Sequence, residues 1–450
     1  MKIYFDDALP IFASIIAKSW GDEALKNNIF LREPTGKLTF IVNNNSFDEE
    51  KRRSLSQVVR KNLIPYVEDD DFCVSTPNDL FDDRLGDTRN ANKISLDHKV
   101  FKGSVWIIDR RIVGADWLRS PSASGQGPVR IVFASIKGGV GRSTALCVLA
   151  SHLASIGRRV LTIDMDLEAP GLGSMLLSED TLPDFGLLDY FVERNLSGIS
   201  DEFILDLISP SWLGKGKGRI DVIPALGRRS LKNPENVLAK IARAYLSDNS
   251  TSSNLEPATF TDHFNELIAN IDSRGSYDVV LIDARAGLHE TSAAAIIGLG
   301  AQVLFFGINQ EQTFSGYRLL LSHLSTLKVN SDDDWRERIT FVQAKASLED
   351  YKNRYFEERI QNLLEEYFWP NNRVQEKTPD LVSLQNEFEV DWSEKNIDLD
   401  EREIQFSPLL ILDDQRYHGF DPLRDKNALE EKFYFETFSD FLLNVTEFVD

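Results

Sequence analysis

Short apolar runs punctuate the chain from residue 129 onward, and most are rich in β-branched side chains. VRIVFAS (Val129–Ser135) is the first, and RVLTIDMD, RIDVIPA, YDVVLIDA, AQVLFFGI and RITFVQA follow it. The segments between them carry largely helical patterns. Short apolar runs without polar alternation suit strands covered on both faces, and their alternation with helices predicts a parallel sheet. The expected fold class is α/β, a mostly parallel twisted sheet with helices on both faces. After the first run, Leu146, Leu149, Leu153 and Ile156 recur at helical spacing, with Gly157 where a C-cap is expected.

The first 120 residues read differently. ALPIFASIIA (Ala8–Ala17) predicts a buried helix, KLTFIVN (Lys37–Asn43) a strand and FDEEKRRSLSQVVRKNL an amphipathic helix. VWIIDRRIVGADWL (Val105–Leu118) predicts a further strand or a hairpin. Residues 1–120 are expected to form a small N-terminal α/β domain, and no motif there names a chemistry. PSASGQGP, small, polar and turn-rich, predicts a linker at 121–128. The strand–helix pattern then spans 129–370, while 371–450 turns acidic and irregular before a final amphipathic helix, FETFSDFLLNVTEFVD. That last part is expected to pack on the core.

With 450 residues, the chain can hold two or three separate cores. A net charge of −21 argues against a protein that coats nucleic acid or lies on an anionic membrane. Cys73 and Cys147 lie far apart without metal-type spacing, which suits a reducing, cytoplasmic setting and excludes a disulfide framework. Asp6 and Asp7 precede the first apolar run, where a signal peptide wants positive charge. Thr291–Gln310 is uncharged, but its glycines, polar residues and β-rich end predict a helix followed by a strand rather than a membrane span.

The first strand runs into ASIKGGVGRSTALCVLASHL (Ala134–Leu153), a glycine-rich turn followed by a helix. Converging backbone N–H groups and a helix N-terminus make such a turn a place for phosphate. The usual pattern is G-x-x-x-x-G-K-[ST], in which the final hydroxyl reaches Mg²⁺. Gly141 and Ser143 fit it, but Ile136 stands at the first glycine and Arg142 at the lysine.

A different pattern, K-G-G-x-G-[KR]-[ST]-T, fits from Lys137 to Thr144 and resembles the deviant Walker A loop of the ParA/MinD-like ATPases. The resemblance continues through IDMDLEAPGLGSML and YDVVLIDARAGLHE, and more weakly to about Phe368. It implies ATP and Mg²⁺ as cofactors, with Gly138, Gly139, Val140, Gly141, Arg142, Ser143 and Thr144 around the phosphates. Lys137 would reach across a dimer interface to the nucleotide of the other subunit. Asp166 would serve hydrolysis, and Ser143, Asp164 and Asp283 would form the Mg²⁺ set. Arg142 keeps the charge of lysine but is larger and planar, so binding is expected to survive while turnover slows. Ala-Arg-Ala-Gly follows Asp283 in place of the family's proline-containing turn. Gly287 is expected to offer a backbone N–H to the γ-phosphate. Arg285 either senses that phosphate or acts as an arginine finger, against a plain salt-bridged role. The base site falls by position at Asn309 or at the QAKAS strand end near Lys345.

The implied function is an ATP-dependent switch that dimerises on ATP and hydrolyses it slowly to control a partner. A nucleotide-gated scaffold without turnover is the alternative, and a ligase-like relative would need a substrate pocket the sequence does not display. The partner protein is expected to be read by the N-terminal domain. DNA is a candidate partner through Lys215, Lys217, Arg219, Arg228 and Arg229, against a solvated loop. The acidic tail argues against membrane attachment. Closely spaced cysteines for an iron–sulfur carrier and a tyrosine-rich kinase tail are both absent.

Overall fold

In the computed structural model, all residues are described except 1–2, 44–47, 70–71, 112, 126, 195, 197, 215–216, 246–257, 275–276, 331, 370–405 and 450. Two sheets organise the chain. The first holds β1 (Ile29–Arg32), β2 (Leu38–Ile41), β3 (Val74–Ser75), β4 (Asn92–His98) and β5 (Phe101–Asp109) in the order β3-β2-β1-β5-β4. Pairing is mixed: β1 runs parallel to β5 and β2 to β3, while β1–β2 and β4–β5 are antiparallel. Helices Phe5–Trp20 and Glu49–Leu63 cover one face, where Leu9, Phe12, Phe30, Phe40 and Val59 form the core. On the other face Ile29, Leu31 and Ile41 meet only Leu85, Ala91 and a few partly buried side chains.

The second sheet holds β6 (Val129–Ser135), β7 (Arg159–Asp164), β8 (Ser209–Pro210), β9 (Arg219–Ile223), β10 (Val279–Asp283), β11 (Gln302–Gly307), β12 (Ile339–Ala346) and β13 (Leu409–Leu412). Their order is β13-β12-β11-β6-β10-β7-β9-β8, and every pairing is parallel except that of the short edge strand β8. The six apolar runs of the sequence thus lie side by side in one sheet. Their side chains alternate between two cores, as the pleat requires. Ile131, Phe133, Val279 and Leu281 meet helices Arg142–Ser155 and Glu431–Thr446. Val132, Ala134, Val280 and Ile282 meet helices Phe260–Asp272, Glu290–Ile297, Glu311–Leu324 and Asp350–Tyr367.

Two regions differ from a core with loose ends. The acidic C-terminal part was expected to pack on the core; its described portion extends the sheet itself. Strand β13 pairs in parallel with β12, and Phe438, Phe441 and Leu442 of the last helix are buried beneath it. Alternating apolar side chains in a polar-looking tail thus pair with the β12 edge of the sheet. Residues 371–405 of that part lie outside the described residues.

The stretch after β5 is also fastened to the larger sheet. The Glu290 carboxylate accepts the N–H groups of Gly114 and Asp116, and buried Asp116 accepts the Thr261 N–H at 3.1 Å. Trp117 enters the larger core, 6% exposed, and His323 bonds its carbonyl at 2.7 Å. Ser122 donates its N–H to Ile297 O and its hydroxyl to Gly298 O. Residues 114–122 therefore lie along helix Glu290–Ile297 from its first residue to its end.

Candidate functional site

The carboxyl ends of parallel strands are where open α/β sheets take ligands. Strand β6 ends there in the glycine loop, and helix Arg142–Ser155 starts directly after it. Gly139 and Gly141 adopt φ of 73° and 92°, a region that side-chain-bearing residues avoid. A Cβ on Gly138, Gly139 or Gly141 would meet no atom within 4 Å, so all three backbones border open space. Ile136, at the place of the usual first glycine, is instead a packing residue. Its Cγ2 lies 2.2 Å from where a Cβ on Gly316 would stand, so that helix position requires glycine.

Beneath the loop, Ser143 Oγ donates to Asp283 Oδ2, and the other Asp283 oxygen is buried without a hydrogen-bond partner. Burial raises the carboxyl pKa of Asp283, against the pull of Arg142 and Ser143. Arg142 Nε lies 3.8 Å from that oxygen, an ion pair without a hydrogen bond, which leaves its lone pairs for a water or a metal cation. Mg²⁺ fits this donor set: it keeps most of its waters and takes one or two protein oxygens beside phosphate. Among the described residues no cluster of three or more His, Cys, Asp or Glu side chains is arranged to hold a metal alone.

Three expected roles meet different geometry. Arg142 was expected on the phosphates; its guanidinium lies folded back, 8% exposed overall, donating to Ala284 O, with Nε 3.8 Å from Asp283. The longer, forked side chain reaches the end of β10 and ties it to the loop. Asp164 was expected in the Mg²⁺ set, yet its oxygens accept the N–H groups of Asp166, Gly171 and Leu172 at 3.1–3.2 Å. It holds the turn after β7, and burial together with Asp283 raises its pKa. Gly287 was expected to offer its N–H to phosphate; that N–H is donated to Ser135 O at 2.8 Å, because a φ of 90° turns the segment back on β6.

The remaining expected residues are placed as follows. Lys137 Nζ bonds Gln310 Oε1 at 2.8 Å, beside the loop after β11. Asp166 is partly exposed, accepts the Ala169 N–H at 3.1 Å, and lies within electrostatic reach of Asp283. Arg285 pairs with Glu168, which also contacts His289 at 3.4 Å and the Tyr245 hydroxyl at 3.3 Å. That cluster joins the turn after β7 to the turn after β10, and the arginine holds the Glu168 carboxyl below its usual range. Cys147 is fully buried, and burial pushes its thiol well up, away from reactivity. In the basic stretch, Arg219 pairs with Asp221, and Arg228 and Arg229 both approach Asp184. Lys217 is exposed, and Lys215 lies outside the described residues.

A cleft of about 520 Å³ opens beside the loop, lined by Gly139, Gly141, Arg142, Ser143 and Thr144 on one side. Lys345, Tyr417, His418, Gly419 and Phe420 line the other side, with Met175 between. Asn309 is not among them; its amide points to Lys352 O at 3.4 Å. Of the two expected base positions, Lys345 is the one on the cleft. Tyr417 to Phe420 carry no motif, and only the aromatic residues around one glycine in RYHGF set them apart from the tail around them.

Residues 129–334 match the family model described as an AAA domain. Residues 129–334 are thus similar to that family, and the glycine loop on the central parallel strand with Asp283 beneath it fits a P-loop NTPase fold. No curated protein matches the chain. Among solved structures, the MinD cell division protein of Aquifex aeolicus is similar at 14% identity and a TM-score of 0.40, over 71% of this chain and 97% of that one. A plasmid partition protein of Borrelia burgdorferi bound to AMPPNP is similar at 16% identity and a TM-score of 0.38, over 71% and 98%. ParA of pNOB8 bound to nonspecific DNA is similar at 18% identity and a TM-score of 0.34, over 53% and 75%. Among the described residues, no helix is long and apolar enough to cross a membrane.

Proposed function

We propose that the chain is an ATP-dependent switch: it binds Mg-ATP on Gly138–Thr144, dimerises on ATP, hydrolyses it slowly and thereby controls a partner protein. The observation that carries this reading is the pairing of an open glycine cradle with Ser143 on Asp283, whose second oxygen is buried without a hydrogen bond, 3.8 Å from Arg142 Nε. Phosphates would lie against the loop's N–H groups and the helix N-terminus. Ser143 and Asp283 would hold the Mg²⁺ side, and a bound Mg²⁺ would neutralise charge on the phosphates.

Asp166 is the residue proposed to orient the attacking water. Lys137, which lies toward the β11 loop rather than over its own cradle, is proposed to complete the site of a second copy. Arg142 would have to leave Ala284 O and Asp283 to reach phosphate, and that rearrangement is the proposed cause of slow turnover. The Glu168–Arg285 pair joins the two turns that flank the cradle, and it is the element through which nucleotide state would be felt. The N-terminal sheet, whose following stretch is held to helix Glu290–Ile297 through Glu290, is proposed as the partner-reading unit.

Sizing with ATP, with ADP and without nucleotide, run beside phosphate release, tests this reading. An ATP-dependent dimer lost in Lys137→Ala and phosphate release lost in Asp166→Ala are expected. A monomer throughout would sink the dimer mechanism, and tight ATP binding without release would favour the non-hydrolysing scaffold.

A further inference from the structure

Strand β4 closes one side of the five-stranded sheet, and among the described residues β5 is its only neighbouring strand. Alternate residues of an antiparallel strand turn their N–H and C=O groups away from the partner, which leaves a row of them along the outer edge of β4. Among the described residues, no hydrogen bond from outside the sheet reaches the backbone of 92–98. Lys328 of the larger unit donates to Arg89 O at 3.0 Å, before the strand begins. No residue of β4 is buried. Lys93, Ser95 and Asp97 are exposed on one face, and Ile94 and Leu96 are half-covered on the core face. The edge on the opposite side, β3, has only two residues.

Charged side chains on an edge usually repel a second strand. On β4 their order favours one. A second copy of β4, laid antiparallel about Ser95, sets Lys93 opposite Asp97 of the partner subunit, twice by symmetry, and Ile94 opposite Leu96 of the partner subunit. The two-fold axis keeps exposed face with exposed face and core face with core face. Sliding the partner by two residues breaks the match, because Lys93 then meets Ser95 or Lys99 of the partner subunit. Within one chain Lys93 lies over the Trp106 ring at 5.7 Å, and Asp97 pairs with Lys102 at 2.7 Å, both charged groups of that pair being largely exposed. The pairing extends these contacts into a row from Trp106 and Lys93 to Asp97 and Lys102 of the partner subunit, in which every charge faces its opposite.

We propose that β4 pairs antiparallel with β4 of a second copy, centred on Ser95, and joins the two five-stranded sheets into a continuous one. The contact uses neither the glycine loop nor nucleotide, so it goes beyond the switch reading and stands apart from the ATP-dependent pairing. Seven residues make a small interface, so the association should be weak and concentration-dependent.

Sedimentation velocity of the full chain without nucleotide, across low to high micromolar protein, tests it. The wild type should pass from monomer toward dimer as concentration rises. Lys93→Glu and Asp97→Lys, each at an exposed position where substitution leaves the fold intact, set like charges against each other twice in a self-pair. Each variant alone should associate at least about tenfold more weakly. An equimolar mixture of the two should associate as the wild type does, because both facing pairs then carry opposite charges again. Recovery in the mixture also separates edge pairing from a loss of folding. A wild type that stays monomeric at every concentration would overturn the proposal. Single variants as tight as the wild type, or a mixture no tighter than its parts, would overturn it as well. No nucleotide is present, so failure of the ATP switch leaves these outcomes unmoved.

Discussion

The two sheets of this protein handle the same problem, burying strands, in opposite ways. The eight-stranded sheet is parallel apart from one short edge strand and is covered by helices on both faces. Every crossover in it returns over a face, so several loops converge at the carboxyl ends of the strands, and the cleft forms there. The five-stranded sheet mixes parallel and antiparallel pairs, and its two long helices lie on one face. It has its own core, and its strands do not all point their carboxyl ends the same way, so its loops are divided between two ends. The comparison teaches that the larger sheet builds a site and the smaller one presents a surface, and the stretch 114–122 joins the two.

The largest test of that division is Trp117→Ala. If the connector were only a tether, the larger unit would not notice the change. Because Trp117 is buried in its core, we expect a loss of about 3–5 kcal/mol, read as a fall in the denaturation midpoint together with faster hydrogen exchange in helices Glu290–Ile297 and Glu311–Leu324. An unchanged midpoint would separate the two units.

Arg142→Lys sharpens the catalytic side. Lysine cannot fork between Ala284 O and Asp283, so the side chain should be freed toward phosphate. Phosphate release is expected to rise by up to about a hundredfold. Unchanged or lower release would show that the arginine does not slow turnover.

A smaller effect is expected for Glu290→Ala, which orphans the N–H groups of Gly114 and Asp116 at roughly 2 kcal/mol. Hydrogen exchange should quicken at 101–119 while nucleotide affinity holds. Weakened ATP binding instead would mean that the helix after Asp283 needs the connector to keep its place.

The smallest effect concerns the C-terminal wall. Asp414 is lowered from 3.8 to about 2, chiefly by its hydrogen bond with Arg416; burial opposes this, and Thr437 and the Arg416 N–H lower it further. A carboxyl depressed in the folded state contributes stability that is present above its unfolded pKa and lost as pH falls through the folded one. Its contribution should therefore be full above about pH 4 and fade toward pH 2, modestly because its partner Arg416 is exposed and the pair is screened by solvent. Asp414→Asn should flatten the stability profile of helix Glu431–Thr446 across that window.

Much of the fold could be read from residue patterns because its determinants are local. Parallel strands buried on both faces appear as uninterrupted apolar runs, and the phosphate loop is a contiguous string whose glycines answer to backbone conformation at their own positions. The roles of single side chains were harder to read. Arg142 turns toward Ala284 because a carbonyl and a carboxylate from residues 283–284 lie within its reach, and no spacing within the loop encodes them. Asp164 reads as a metal ligand from its D-x-D setting, but three N–H groups of the following turn have claimed its oxygens.

By itself, the sequence determined the α/β class, the six strands that became β6, β7, β9, β10, β11 and β12, and the place of the glycine loop on the first of them. The tertiary structure alone decided that the acidic tail closes the sheet as β13 and faces the loop across the cleft with Tyr417–Phe420. It also decided that the stretch 114–122 lies strapped along helix Glu290–Ile297. The physical reason is range. Apolar periodicity and glycine conformations are set within a few residues, whereas the partner of a sheet edge, a buried tryptophan or an unpaired carboxylate is chosen only when distant segments compete for the same contact.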